Sequence, residues 1–152
     1  MATKKKNALG IYALIAARVL LGGLLFYAGF AKMQNLPKFA EDIAHFRMLP
    51  EALSHVLAIV LPWNEIVVGS LLIFGIWSRA AALASLFLFT VFSIAVASAI
   101  ARKLNINCGC MGDAGASKVG LLKLAEDAAY LAVSAYVYFA TVPPKATKAK
   151  WE

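Results

Sequence analysis

The chain has 152 residues, of which 62% are hydrophobic and 15% charged, and its formal net charge is +7. Soluble domains hold roughly 45–50% apolar and about 25% charged residues, and a small one keeps much of its surface in water. The composition therefore argues against a soluble enzyme and a disordered chain. The sequence lacks a basic stripe with interleaved aromatic residues, so it does not predict nucleic-acid binding. A very apolar soluble helical bundle is the remaining alternative to a membrane protein.

Four apolar stretches are long enough to cross a bilayer as helices. A hydrocarbon core of about 30 Å requires roughly 20 apolar residues, and an open sheet would leave backbone groups unpaired in lipid. The sequence therefore predicts an all-α membrane protein, a four-transmembrane-helix bundle that forms a single membrane domain over residues 1–152. The predicted spans cover about residues 9–30, 53–76, 80–101 and 119–140.

The basic residues at the two ends predict the orientation. An even number of spans places both termini on one side, and the lysines within residues 4–6 and 145–150 are typical of cytoplasmic anchors. We predict a protein of the bacterial cytoplasmic membrane with basic cytoplasmic tails, so that residues 36–52 and 105–118 face outward. The alternative is a signal peptide cleaved after Ala31, which the length of the apolar run disfavours.

The first outward segment predicts a short helix between the first two spans. Phe39, Ile43 and Phe46 recur at helical spacing, with charged residues elsewhere on the helical wheel. Such an amphipathic helix is typical of the membrane interface. Pro50 is expected to end it.

Five charged residues lie within the predicted spans: Arg18, Glu65, Lys123, Glu126 and Asp127. Each is costly in lipid and should face a partner or a wet cavity. At a rise of about 1.5 Å per residue, Arg18 and Glu65 have similar depths on neighbouring helices, which predicts an ion pair between them. Lys123 is spaced for a local pair with Asp127. The alternative for Asp127 is a proton path from the outer loop.

The only cysteines, Cys108 and Cys110, flank a glycine in the second outward segment. A disulfide between such close neighbours restrains little chain, and the strain of its small ring makes it labile. Because the outer face of a bacterial membrane is oxidising, the pair predicts redox-active thiols. Two alternatives stay open: unreactive thiols, or a metal site that adds His45 and His55, although these spacings match no common zinc pattern.

Several of these residues belong to a pattern that resembles the DoxX-like membrane proteins. The loop element resembles the Cys-x-Cys-Phe-Gly element of the MauE branch, which is named for methylamine utilisation. The resemblance covers about residues 9–140. The motifs in chain order are Arg18-x3-Gly22-x6-Gly29-x2-Lys32, Phe39-Ala40, Leu49-Pro50, Leu61-Pro62-x2-Glu65-x3-Gly69, Gly75 and Cys108-Gly109-Cys110-Met111-Gly112.

The resemblance implies a membrane protein that serves disulfide formation in methylamine dehydrogenase alongside a thioredoxin-like periplasmic or extracytoplasmic partner, with Cys108 and Cys110 as the catalytic pair. The architecture is also similar in outline to DsbB and vitamin K epoxide reductase, four-helix proteins that pass electrons from thiols to quinone. This chain holds one cysteine pair rather than two. By this likeness, a quinone is expected near Lys32, Asn35 and Trp63.

Hypotheses from two other functional classes stay open. The protein could be a non-enzymatic assembly subunit that holds a soluble redox partner at the membrane, with its cysteines as tethers or metal ligands. It could instead be a small transporter or channel that uses Arg18, Glu65 and Asp127. The potential of the cysteine pair discriminates between these classes, because a value far below about −300 mV indicates an inert structural bond.

Overall fold

A computed structural model describes residues 2–47, 50–104 and 120–141, and all regular structure within these ranges is helical. This confirms the predicted all-α class. The predicted catalytic pair, Cys108 and Cys110, lies outside the described residues. The helices are α1 (Ala2–Met33), α2 (Leu36–His45), α3 (Glu51–Phe74), α4 (Ser78–Ala101) and α5 (Leu121–Ala140).

Three of the described helices are long and apolar enough to cross a bilayer, over Gly10–Met33, Ala52–Phe74 and Ser78–Ala101. They expose large apolar side chains on their outer surfaces, as helices in contact with lipid do. The chain is therefore an integral membrane protein. α5 is 20 residues long but carries Lys123, Glu126 and Asp127 in its first turns, so the fourth span stays a prediction.

α1 and α3 run antiparallel with their backbones in direct contact, because glycines occupy the places where they meet. A Cβ atom on Gly22 would lie 2.7 Å from the carbonyl oxygen of Gly69, and one on Gly69 would lie 2.6 Å from that of Gly22. Further along, a Cβ atom on Gly29 would lie 2.7 Å from the carbonyl oxygen of Pro62. Small residues permit this close approach between membrane helices.

The main apolar core lies in the half of the bundle nearest the turn between α3 and α4. It joins α1, α3, α4 and α5, and the rings of Phe89 on α4 and Tyr130 on α5 contact each other at a tilt of 36°, with centroids 5.3 Å apart. This half therefore holds the helices together by apolar contact. Its buried members are Leu21, Leu25, Val68, Leu72, Ala81, Ala82, Leu88, Phe89 and Val137.

α2 covers the opposite end of the α1–α3 pair. Phe39 and Ala40 pack against Ala58 of α3 in a second, smaller apolar cluster. The helix begins after Asn35, whose side-chain oxygen accepts a hydrogen bond of 3.3 Å from the backbone N–H of Lys38. A helix thus occupies the first part of the segment where the sequence predicted one. Its location at the membrane surface stays a prediction.

Candidate functional site

Lys32 is the residue at which four helices meet. Its ammonium, carried on α1, forms an ion pair with the Glu65 carboxylate of α3, and each side chain is 1% exposed. The same ammonium lies 5.2 Å from the ring centroid of Phe39 on α2 and 4.8 Å from that of Phe92 on α4. Aromatic faces attract cations most strongly where water is absent. One carboxylate and two rings therefore stabilise a charge that lies away from water.

The predicted ion pair between Arg18 and Glu65 is wrong. The Arg18 Nε instead donates a hydrogen bond of 3.0 Å to the carbonyl oxygen of Leu72. Its guanidinium lies over Gly75, which ends α3 with a φ of 76°. The prediction set residue 9 of the first span level with residue 76 of the second, whereas Arg18 itself is level with Leu72 and Gly75 at the end of α3. Arg18 thus supplies a donor and a positive charge to the carboxyl end of α3.

α5 adds Lys123, Glu126, Asp127 and Tyr130 beside this ion pair. The Lys123 Nζ donates a hydrogen bond of 2.7 Å to Glu126 Oε2, and the Tyr130 hydroxyl donates one of 3.3 Å to Glu126 Oε1. Within the described residues, the local pair of Lys123 thus forms with Glu126 rather than with Asp127. Asp127 is 3% exposed, and its Oδ2 has no hydrogen-bond partner in the described part of the chain. We call Lys32, Glu65, Lys123, Glu126 and Asp127 the charged cluster.

A cavity of about 20 Å³ lies between α1, α3, α4 and α5. A void needs about 10–15 Å³ to hold one water molecule, so this cavity has room for a single water. Glu65 and Asp127 both line it, and each keeps one carboxylate oxygen without a hydrogen-bond partner among the described residues. Its full lining is Leu24, Leu25, Ala28, Glu65, Phe89, Phe92, Lys123, Asp127 and Tyr130.

The three residues predicted near a quinone lie on different surfaces. Lys32 is enclosed in the charged cluster, and Asn35 caps α2. Trp63 is 56% exposed on the outside of the bundle. It lies two residues before Glu65, and two residues turn a helix by about 200°, so these side chains leave α3 on opposite faces. The water-sized cavity has no room for a quinone ring.

The described residues on either side of residues 105–119, the segment that carries the cysteine pair, lie at the α2 end of the bundle. Arg102, just after α4, donates a hydrogen bond of 2.6 Å to the carbonyl oxygen of Phe46, just after α2. On the other side of the segment, Gly120 precedes α5 by one residue, and Lys123 in the first turn of α5 already lines the cavity. Both attachment points therefore lie at the end that holds the charged cluster.

The histidines of the alternative metal site, His45 and His55, are both exposed, on α2 and α3. Over the described ranges, no group of three or more His, Cys, Asp or Glu side chains is arranged to hold a metal ion. The two cysteines of that alternative lie outside these ranges. A metal site at the cysteine pair thus stays a prediction.

The pairing of Lys32 with Glu65 was not predicted from the sequence, although the spacing of the first-helix motif indicates it. Arg18, Gly22, Gly29 and Lys32 fall on one face of a helix. That face is the one that α1 turns toward α3, so the motif describes an interface. Along the interface the contacts run, in order, Arg18 with Leu72 and Gly75, Gly22 with Gly69, Gly29 with Pro62, and Lys32 with Glu65.

The family model of methylamine utilisation protein MauE matches residues 11–140. The chain belongs to the MauE family. The matched range includes the α1–α3 interface motif, the charged cluster and both cysteines. No solved structure matches the chain.

Several curated MauE proteins are similar to this chain. Methylamine utilization protein MauE of Paracoccus denitrificans is 34% identical over 96 residues, which cover 62% of this chain and 52% of the relative. That of Methylorubrum extorquens is 32% identical over 114 residues, 74% of this chain and 61% of the relative. That of Methylophilus methylotrophus is 30% identical over 122 residues, which cover 79% of this chain and 63% of the relative. The matches thus span between 52% and 63% of the length of these three MauE relatives.

Proposed function

We propose that this MauE-family protein is a membrane thiol–disulfide oxidoreductase whose redox pair is Cys108 and Cys110. The observation that carries the proposal is that the described residues on either side of residues 105–119, Arg102 and Gly120, lie at the end of the bundle that holds the charged cluster. Membership in a family named for methylamine utilisation supports it.

The proposed exchange runs through a mixed disulfide. A thiolate of a reduced thioredoxin-like protein attacks the Cys108–Cys110 disulfide, which forms a mixed disulfide and releases one cysteine thiolate. The second thiolate of the partner then attacks the mixed disulfide. The partner leaves oxidised, and Cys108 and Cys110 are left as a dithiol after taking up two electrons and two protons.

A lipid-borne quinone is the oxidant that we propose for the resulting dithiol. The quinone takes two electrons and two protons from the dithiol and leaves as quinol, and the Cys108–Cys110 disulfide re-forms. The cavity beside the charged cluster has room for one water only, and we propose that the quinone meets the outer surface of the bundle from the lipid. The exposed ring of Trp63 on α3 is the surface that we propose for this contact.

We further propose that α5 is the fourth span and that both termini lie in the bacterial cytoplasm, with α2 along the outer face of the cytoplasmic membrane. The charged residues of α5 are compatible with a span because Lys123 and Asp127 are buried against the other helices. The lysines within residues 4–6 and 145–150 support the orientation.

Thiol exchange by single-cysteine variants tests the proposed function. We expect the protein in lipid vesicles with a benzoquinone to oxidise a reduced thioredoxin-like protein. Cys108→Ser and Cys110→Ser should each reduce the rate to that of protein-free vesicles, whereas the neighbouring change Met111→Leu should retain it. One of the serine variants should also accumulate a mixed disulfide with the partner. Wild-type rates in both serine variants would contradict the proposal and favour an assembly subunit.

A further inference from the structure

The charged cluster contains one carboxylate more than it has cations. Within the described residues, Lys32 pairs with Glu65 and Lys123 pairs with Glu126. Asp127 is left without a cation at ion-pair distance in this part of the chain, although its side chain is 3% exposed. An uncompensated charge in the interior of a membrane protein is costly. The cluster therefore requires one further positive charge.

We propose that Glu65 and Asp127 together bind one proton, which they share across a single water in the cavity between them. One carboxylate oxygen of each residue lacks a hydrogen-bond partner among the described residues. A protonated carboxyl becomes a hydrogen-bond donor, whereas an ionised one only accepts. With one proton present, a carboxyl, a water and a carboxylate form a continuous hydrogen-bonded chain.

The size of the cavity favours a single water between the two carboxylates. A buried water needs two to four polar partners and about 10–15 Å³ of space. The cavity of about 20 Å³ provides the space, and Glu65, Asp127, Lys123 and Tyr130 provide the polar lining. The remaining lining is apolar, so the water and the proton would be confined to the gap between the two carboxylates.

The charge balance of the proton site depends on the side chains that each surrounding helix turns toward it. α2 and α4 present the aromatic rings of Phe39, Phe89 and Phe92 rather than charged groups. All the described charged or titratable groups that face the site therefore come from α1, α3 and α5. They are Lys32, Glu65, Lys123, Glu126, Asp127 and Tyr130.

A route for proton exchange leads from the site toward the α2 end. Lys123 lines the cavity and donates to Glu126, whose side chain is 45% exposed. Glu126 lies about 9 Å along α5 from Gly120, where the cysteine-bearing segment joins the helix. Protons that thiol exchange takes up or releases would thus arise near this site. The proton site itself does not depend on that chemistry.

Infrared spectroscopy of the protein in lipid nanodiscs tests the proposal, because a protonated carboxyl group has its own carbonyl-stretch band. We expect the wild-type protein to show one such buried band at neutral pH. Asp127→Asn and Glu65→Gln should each abolish it, because removing either carboxylate leaves the remaining charges balanced. Glu41→Gln, which changes an exposed carboxylate on α2, should leave the band in place.

Two additional variants keep the test decisive. Asp127→Glu retains the carboxyl group, so its band should persist and respond only to carbon-13 labelling of glutamate; this decides the matter if Asp127→Asn does not fold. A variant with both cysteines changed to serine should keep the band, which separates failure of the proton site from failure of thiol exchange. The proposal is overturned by the absence of a buried band at neutral pH or by a band that persists in both Asp127→Asn and Glu65→Gln. A band that appears only after sodium is removed would also overturn it, in favour of a sodium site.

Discussion

The two ends of the α1–α3 interface are built in opposite ways. At one end, Gly22 and Gly69 bring the two backbones together, and Arg18 closes the end of α3. At the other end, Lys32 and Glu65 form a buried ion pair beside a cavity. The glycine end is closely packed, whereas the charged end holds a buried ion pair and a cavity.

This difference separates a structural role from a chemical one. Helices in lipid gain stability from close van der Waals contact, which the glycine end maximises. A buried ion pair rarely adds net stability, because removing two charges from water offsets their attraction. The charged end is therefore poorly explained by stability alone. It lies beside the described residues that flank residues 105–119, where we propose proton and thiol chemistry.

The largest predicted effect comes from leaving one buried charge without its partner. Lys32→Met strands the Glu65 carboxylate, and breaking a buried pair in this way should reduce the free energy of unfolding by about 3–5 kcal/mol. The measurement is reversible unfolding in mixed micelles with increasing SDS. The double variant Lys32→Met with Glu65→Met should recover most of the loss. A double variant as unstable as the single one would show that packing, and not the stranded charge, dominates at this end.

An intermediate effect is predicted at the glycine end, where neighbouring residues provide a matched pair. Gly22→Ala places a Cβ against the backbone of α3, which cannot move aside, and such overpacking should cost about 1–3 kcal/mol. Gly23→Ala meets no atom within 4 Å and should be neutral or stabilising by about 0.5–1 kcal/mol. Unfolding in the same micelles compares them. Equal stabilities for both variants would mean that the backbones are not in contact.

The smallest predicted effect is at Arg18. Arg18→Met removes a hydrogen bond to the Leu72 carbonyl and a positive charge at the carboxyl end of α3, which should cost about 1–2 kcal/mol. Arg18→Lys restores the charge and should recover part of the loss. If Arg18→Met instead destabilised the protein as strongly as Lys32→Met, Arg18 would be balancing a buried carboxylate rather than closing a helix.

Hydropathy was sufficient to predict the all-helical class and the three described spans, because the lengths of the apolar runs match the thickness of a bilayer. It did not fix where each helix begins. α1 extends over Ala2–Met33 rather than over the predicted residues 9–30. The extension to Met33 places Lys32 inside the helix, and the register of α1 against α3 places Arg18 level with Leu72 and Gly75 rather than with Glu65. The ion pair was therefore assigned to the wrong cation.

The candidate site could be predicted only in part for a similar reason. Spacing along α5 allows Lys123 to reach either Glu126 or Asp127. The choice depends on which side chain faces the other helices, and only the tertiary structure shows that Asp127 does. The cavity depends on how side chains from four helices fill space, which no local pattern in the sequence determines.

The redox potential of the Cys108–Cys110 pair tests most directly whether the charged end carries redox chemistry. The measurement equilibrates the protein in lipid nanodiscs with glutathione buffers of graded potential and counts alkylated thiols by mass spectrometry. We predict a midpoint above about −300 mV, within the range of exchange-active disulfides. A midpoint far below about −300 mV would identify an inert structural bond and contradict the proposed function.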